Sequence, residues 1–271
     1  MKAKKVKHER VAGTLYASQN GNKPTLVLFN QWRSGASSIF SEYLADMVLE
    51  RKVYGAVLFA DRIASGGASD NQLSKAEKKR MSRVGDFQFA QIYHQAVERI
   101  LAANHQSGNY VLGGSSAGGS AALAAASASG SGCSGVVLVE PSGLRPHGML
   151  NNVLAVPHAF LKHVVAYRHR ISRGWWTPMD REQYFATGSM FEKRARYWAS
   201  DRFKKQVMEY VADSSNPPLT LVLSKDSHVH RAQDRREITE NAVKPHRLKL
   251  ITGNHDKICQ PPSLSKLYEL T

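Results

Sequence analysis

The sequence predicts an α/β protein with a mostly parallel central sheet flanked by helices. The chain has 271 residues, of which 42% are hydrophobic, and this suffices for one well-filled core. Short, nearly continuous apolar runs are typical of strands that are covered on both faces. Longer stretches with helical periodicity separate these runs, and strand–helix alternation favours parallel pairing. We therefore expect a single domain over residues 1–271.

The elements follow in chain order. The stretch Val11–Ser18 is predicted to be an antiparallel strand at the edge of the sheet. Six further strands are predicted, at Thr25–Asn30, Tyr54–Asp61, Asn109–Gly114, Ser134–Pro141, Pro218–Asp226 and His246–Asp256. Helices are expected for "FSEYLADMVLERK", "FQFAQIYHQAVERILAANH" and the alanine-rich stretch "SAALAAAS".

The charge of the chain points to an anionic partner. Lysine and arginine number 37 against 22 acidic residues, which gives a net charge of +15. Such a surface attracts acidic lipid, a charged substrate or nucleic acid, although charge also simply keeps a protein soluble. The two cysteines, Cys133 and Cys259, form no disulfide framework, and they favour a reducing compartment. Because no apolar run is long enough to cross a bilayer and the basic start leads into no apolar segment, we expect a cytoplasmic protein.

The stretch "NYVLGGSSAGGSAALAAAS" combines a predicted strand, a glycine-rich turn and a helix. Gly114, Ser116 and Gly118 form the pattern G-x-S-x-G in the strand–turn–helix setting that a nucleophile elbow requires. In so sharp a turn, side chains at the glycine positions would collide with backbone, and the hydroxyl of Ser116 would project above the sheet. The N–H of Ala117 would then be an oxyanion donor. The alternative is a glycine-rich turn without chemistry, and Ser115 is expected to be a packing residue.

Other motifs resemble the α/β-hydrolase superfamily, from Thr25 to the C-terminus. "TLVLFNQW" resembles the strand that normally ends in His-Gly-x, and "SGVVLVEPSG" resembles the strand after the nucleophile helix. "FADRIASGGAS" is similar to the Asp-x-x-Gly-x-Gly-x-Ser loop, carried here by Asp61, Gly67 and Ser69, with Ala64 in a usual glycine position. The resemblance implies the hydrolase fold and the chain order serine, acid, histidine.

The resemblance implies a catalytic triad of Ser116, Asp226 and His255. Asp226 ends a strand in "SKDSHV" and His255 follows the last strand in "GNHDK", so both belong at the sheet edge that carries the serine. Glu140, in "VLVEP", is the alternative acid, because some family members take their carboxylate from that position. Asp226 is preferred since it follows the strand normally used. The next candidates for the base are His228 and His230.

The second oxyanion donor departs from the family pattern. Where the family usually has His-Gly, this chain has Asn30, Gln31 and Trp32. By position the backbone donor is Trp32, with Gln31 next, and an Asn or Gln side chain could itself donate. Trp32 would also suit a wall of the acyl pocket.

Residues 144–217 form an insertion where the family carries its cap, after the sixth strand of the fold. We expect a small helical cap over the site, with aromatic side chains that line the substrate pocket. Basic residues interleave with these aromatics and suit a substrate with an apolar body and an anionic end, or docking on an acidic surface. Ordinary amphipathic helices with solvated basic faces are the alternative. The candidate pocket residues are Phe160, Tyr167, Trp175 and Trp176.

The sequence therefore predicts a serine hydrolase, esterase- or lipase-like, that cleaves a carboxylic ester through an acyl-serine intermediate. The expected partner is a small-molecule ester, anionic or lipid-like, with peripheral contact to an acidic surface; nucleic acid is less favoured. No cofactor and no metal site is predicted, because we find no metal-ligand spacing, P-loop or dinucleotide fingerprint. The alternatives are a thioesterase, amidase or lyase with the same triad, or a non-catalytic hydrolase-fold module that binds a polyanion or partner.

Overall fold

One sheet of eight strands forms the centre of the molecule. The computed structural model describes residues 2–18, 23–30, 39–64, 73–106, 108–130, 132–145, 194, 196–227, 230–253 and 255–269. The strands are β1 Lys2–His8, β2 Val11–Ala17, β3 Thr25–Phe29, β4 Ala56–Ala60, β5 Tyr110–Ser115, β6 Cys133–Val139, β7 Leu219–Ser224 and β8 Arg247–Ile251. Their order across the sheet is β1-β2-β4-β3-β5-β6-β7-β8.

The pairing confirms a mostly parallel sheet. Strands β3 to β8 pair parallel with one another, whereas β2 pairs antiparallel with both β1 and β4. The antiparallel direction of β2 agrees with the prediction, but its predicted edge position is wrong. Strand β1, which the sequence analysis did not identify, pairs along the whole of β2 and takes the edge.

Helices cover both faces of the sheet. They are α1 Ile39–Glu50, α2 Lys75–Val84, a 3₁₀ helix Gly85–Phe89, α3 Ala90–Ala103, α4 Gly118–Ser127, α5 Arg202–Val211, α6 Ala232–Asn241, α7 His255–Ile258 and α8 Pro261–Leu267. One core cluster includes Tyr93 of α3 and Leu123 of α4, and the other includes Leu44 of α1 and Leu264 of α8. The three predicted helices correspond to α1, α3 and α4. Within the described ranges, no helix is long and apolar enough to span a bilayer.

The predicted cap is described only at its ends. Residues 146–193, which hold its candidate pocket residues, lie outside the described residues. Helix α5 falls within the predicted insertion, but its side chains Phe203 and Val207 are fully buried in the main core beside Tyr197. This end of the insertion is therefore part of the helical layer on the sheet.

Both edge strands are basic. In β1 the side chains of Lys2, Lys4, Lys5 and Lys7 are exposed, and Val6 packs against the core. In β8 the side chains of Arg247 and Lys249 are exposed. Each edge of the sheet therefore presents a row of cations to solvent.

Candidate active site

The turn between β5 and α4 holds Ser116 in a strained conformation. Its φ is +51°, a left-handed value that is uncommon for a residue other than glycine. The backbone N–H of Ser116 donates to the carbonyl of Val139 at 3.0 Å, and its own carbonyl accepts from Ser142 N–H at 3.0 Å. These bonds tie the turn to β6 and to the loop that follows it. Strain of this kind persists when the surrounding structure over-determines it, and it clusters at functional sites.

Small residues allow this turn to approach the neighbouring strands. A Cβ atom on Gly114 would lie 2.5 Å from the carbonyl oxygen of Gly118, and one on Gly118 would collide with the carbonyl of Phe29. A Cβ on Gly119 would lie 2.6 Å from the Cβ of Pro141. The collisions expected from the G-x-S-x-G pattern are therefore present, and they extend to the glycine that follows it.

The two adjacent serines differ in surroundings. Ser115 is the last residue of β5, is 3% exposed and makes a side-chain hydrogen bond with Tyr268. Ser116 is partly exposed, and its Oγ lies 3.3 Å from the Oγ of Ser142. Ser115 thus has the environment of a packing residue, whereas Ser116 keeps part of its surface exposed.

The structure pairs His255 with Glu140. Glu140 follows β6 directly, has a φ of +49° and is completely buried. Its Oε2 lies 3.3 Å from Nδ1 of His255, the first residue of α7. Because an ionised carboxylate can only accept a hydrogen bond, Nδ1 must donate, and Nε2 of a neutral ring is then the acceptor. This is the tautomer that a general base requires.

Asp226, the preferred acid from the sequence, does not hold the imidazole. Strand β7 ends at Ser224, so Asp226 lies beyond the sheet, where it is exposed. Its Oδ2 accepts the backbone N–H of Gly253 at 3.2 Å, while the Ser224 hydroxyl donates to the Gly253 carbonyl. Gly253 has a φ of +123°, which glycine adopts readily. Asp226 therefore fixes the turn that leads to His255.

Hydrogen bonds keep the Glu140 carboxylate ionised. Burial alone would raise its pKa, but donors from His230, His255, Ser227 and the backbone of Ser224 lower the pKa to about 2. The His230 Nε2 lies 3.0 Å from Oε1 of Glu140, and the Ser227 hydroxyl donates to Oε2. Glu140 thus carries a negative charge beside His255 at neutral pH.

The remaining predicted site residues divide into two groups. Ala117 is buried at the N-terminus of α4, directly after Ser116. The others lie outside the described residues: Gln31, Trp32, Phe160, Tyr167, Trp175, Trp176 and His228.

Sequence reasoning missed the site serines Ser142 and Ser227. Ser142 follows Glu140 by two residues in "EPSG", and Ser227 follows Asp226 directly in "KDSHV". Their proximity to candidate acids was the available signal. In the described part of the chain, histidine, cysteine and carboxylate side chains form no group of three that could hold a metal ion.

The chain belongs to the alpha/beta hydrolase family, whose model matches residues 32–253. A search of curated proteins finds no significant match. Among solved structures, the thioesterase domain from the curacin biosynthetic pathway is 14% identical, with 98% of each chain covered and a TM-score of 0.61. The enol-lactonase from Burkholderia xenovorans LB400 is 15% identical over 94% of this chain and 95% of that one, with a TM-score of 0.59. A putative lipase from Acinetobacter baumannii AYE is 14% identical over 99% and 89%, with a TM-score of 0.61. At these identities the similarity concerns the fold.

Proposed function

We propose that this hydrolase cleaves carboxylic esters through an acyl-serine intermediate, with Ser116, His255 and Glu140 as its triad. The observation that carries the proposal is the hydrogen bond between Glu140 and Nδ1 of His255, at the sheet edge where Ser116 is held in strained geometry. Glu140 takes the role that the sequence assigned to Asp226.

The proposed reaction proceeds in two halves. His255 removes the proton from Ser116 Oγ, which attacks the ester carbonyl, and His255 then protonates the leaving alcohol. Water, activated by the same imidazole, attacks the acyl-serine, and His255 returns the proton to Ser116. Glu140 holds the tautomer and stabilises the imidazolium that forms in each half.

The oxyanion is the second requirement of this chemistry. We propose the backbone N–H of Ala117 as one donor, because it follows the nucleophile at the start of α4. By its place in the family pattern, the loop with Gln31 and Trp32 supplies the other. Aromatic residues of the cap, Phe160, Tyr167, Trp175 and Trp176, are proposed to line the pocket.

Substrate and setting are proposed from charge and cysteines. A net charge of +15 favours an anionic or lipid-like ester, or contact with an acidic surface. Both cysteines are buried, and two cysteines make no disulfide framework, which supports a reducing, cytoplasmic setting. A thioester is the second candidate substrate, because a thioesterase domain shares the fold and thioesters also acylate serine.

Fluorophosphonate labelling tests the proposal without knowledge of the substrate. We expect one adduct, on Ser116, since the probe reacts with an activated serine. Ser116→Ala should abolish labelling with the fold retained, and Ser115→Ala should keep it. Hydrolysis of p-nitrophenyl esters and acyl thioesters by the same samples separates the two substrate classes. An adduct on Ser115, or no adduct on the folded protein, would contradict the proposal.

A further inference from the structure

Glu140 is shared by two histidines that the proposed reaction uses unequally. Oε2 faces His255 and the Ser227 hydroxyl, while Oε1 accepts from Nε2 of His230 at 3.0 Å and from the Ser224 N–H at 2.5 Å. A carboxylate offers about four lone-pair sites, so all of its acceptor capacity is used. Any rotation of the carboxylate breaks bonds on both oxygens.

His230 is held in a single tautomer. Its side chain is fully buried, and Nδ1 lies 3.3 Å from Nη1 of Arg235. A guanidinium can only donate, so Nδ1 accepts. Nε2 therefore carries the ring proton and donates a hydrogen bond to Glu140. With both ring nitrogens engaged, His230 has no nitrogen to offer Ser116. It is therefore not a second base.

We infer that His230, fixed by Arg235, is a positioning residue that holds the Glu140 carboxylate so that Oε2 stays on Nδ1 of His255. The inference rests on the proposed function, in which that hydrogen bond orients the base. The hydrogen bond between His230 and Glu140 joins residues 90 positions apart in sequence. It connects the end of β6 to the segment before α6. It explains why a second histidine is buried beside the acid.

Two substitutions at His230 separate donation from packing. His230→Leu retains bulk and removes the donor, whereas His230→Gln places an amide N–H at the position of Nε2. We expect fluorophosphonate labelling of Ser116 to slow by about tenfold to a hundredfold in His230→Leu, by analogy with the loss when an outer-shell partner of a metal ligand is removed. His230→Gln should restore most of the rate. Equal rates in wild type and His230→Leu, or equal losses in both variants, would overturn the inference.

His246 supplies the matched control. It is also a buried histidine with both ring nitrogens bonded, to the N–H of Leu219 in β7 at 3.1 Å and to the carbonyl of Asp213 at 3.0 Å. His246→Leu removes two ring hydrogen bonds without touching Glu140. We expect labelling at the wild-type rate once the protein is folded. Slowing equal to that of His230→Leu would show a general loss of stability and would overturn the inference.

An NMR readout is independent of activity. The Nδ1 proton of His255 should give a low-field signal in the wild type, in His230→Gln and in His246→Leu. This signal should be absent from His230→Leu. Arg235→Met removes the donor to Nδ1 of His230, so the His230 ring should no longer be held in one tautomer. Arg236 is an adjacent exposed cation, and Arg236→Met should leave the tautomer unchanged. Persistence of the signal in His230→Leu would overturn the inference. A folded wild type that takes no probe would instead overturn the proposed function.

Discussion

Two carboxylates at the ends of neighbouring strands have very different surroundings. Glu140 is buried against two imidazoles and has a pKa of about 2, whereas Asp226 is exposed and accepts one backbone N–H. A charge in the buried environment interacts more strongly with an imidazolium, because solvent screens it less. The burial and contacts of Glu140 therefore favour it as the acid.

The two roles predict unequal losses of activity. Glu140→Gln should lower kcat on an ester that the wild type cleaves by about 10⁴-fold, the size of effect seen when a triad histidine is left in the wrong tautomer. Asp226→Asn keeps an acceptor oxygen for Gly253 N–H and should cost less than about tenfold. Steady-state kinetics on both variants measures this. A larger loss of kcat in Asp226→Asn than in Glu140→Gln would instead assign the role of the acid to Asp226.

Local patterns single out a candidate serine and a candidate histidine more clearly than a candidate acid. Ser116 is bracketed by the glycines its turn requires, and His255 follows the last strand. Glu140 and Asp226 both follow adjacent parallel strands, so chain order allows either. The choice depends on where the turn after β7 leads and on the contact of His230 with Glu140, and neither is a local property of the sequence.

At the scale of elements, the sequence predicts the strands that consist of apolar runs. It does not predict β1, which has no such run. In β1 only Val6 and Ala3 are apolar among lysines, so periodicity gives no signal. The residues of β1 have little intrinsic preference for a strand. They form one because all of them pair with β2. Helix α2 has few apolar residues, and the local signal it offered is the capping box of Ser74 and Glu77.

The 3₁₀ helix Gly85–Phe89 places a single carboxylate among elements far apart in sequence. Asp86 accepts from Ser120 of α4 at 2.6 Å and from Nη2 of Arg194 at 2.8 Å, and Nη1 of Arg62 lies 4.0 Å away. Burial would raise the pKa of Asp86, but the two guanidiniums lower it. Arg194 also donates to the Ile63 and Ala64 carbonyls. The nucleophile helix, the loop after β4 and the segment before α5 thus share one ionic centre.

Removal of that charge should destabilise the fold strongly. Asp86→Asn removes the charged partner of the buried Arg194 and a carboxylate near Arg62, and loss of one partner from a buried pair typically costs about 3–5 kcal/mol. Urea unfolding measures the change in the free energy of unfolding. Asp201→Asn is the control, since Asp201 pairs with Lys205 at 2.6 Å on the surface and should change little. A loss for Asp86→Asn as small as the control's would refute this account.

At the scale of the whole molecule, buried carboxylates make stability depend on pH. Burial opposes ionisation of Asp86, Glu140 and Asp234, yet their cationic and hydrogen-bonding partners lower all three pKa values. For Glu140 the folded pKa is about 2 against an ordinary value of 4.5. A group with a depressed pKa contributes stability above its unfolded pKa, and the contribution is lost as pH falls towards the folded pKa.

The free energy of unfolding should therefore fall with acidification below pH 4.5. Glu140 alone accounts for up to about 3 kcal/mol over its full window, at 1.36 kcal/mol per pKa unit. Urea titrations at neutral and acidic pH measure the slope. Glu140→Gln lacks this ionisation, so its free energy should depend less on pH than that of the wild type. Parallel pH dependences would show that Glu140 is not held ionised by the fold.

The exposed cations of the two edge strands, β1 and β8, affect how the molecule behaves in a crowded solution. An edge strand has unpaired N–H and C=O groups that can template another chain, and lysine at such edges is a common defence. Two copies that met edge to edge would bring the exposed lysines of β1 or the cations of β8 together. Charge repulsion would then oppose sheet extension at either side. The basic strand that sequence patterns overlook would thus also oppose fibre growth by the folded protein.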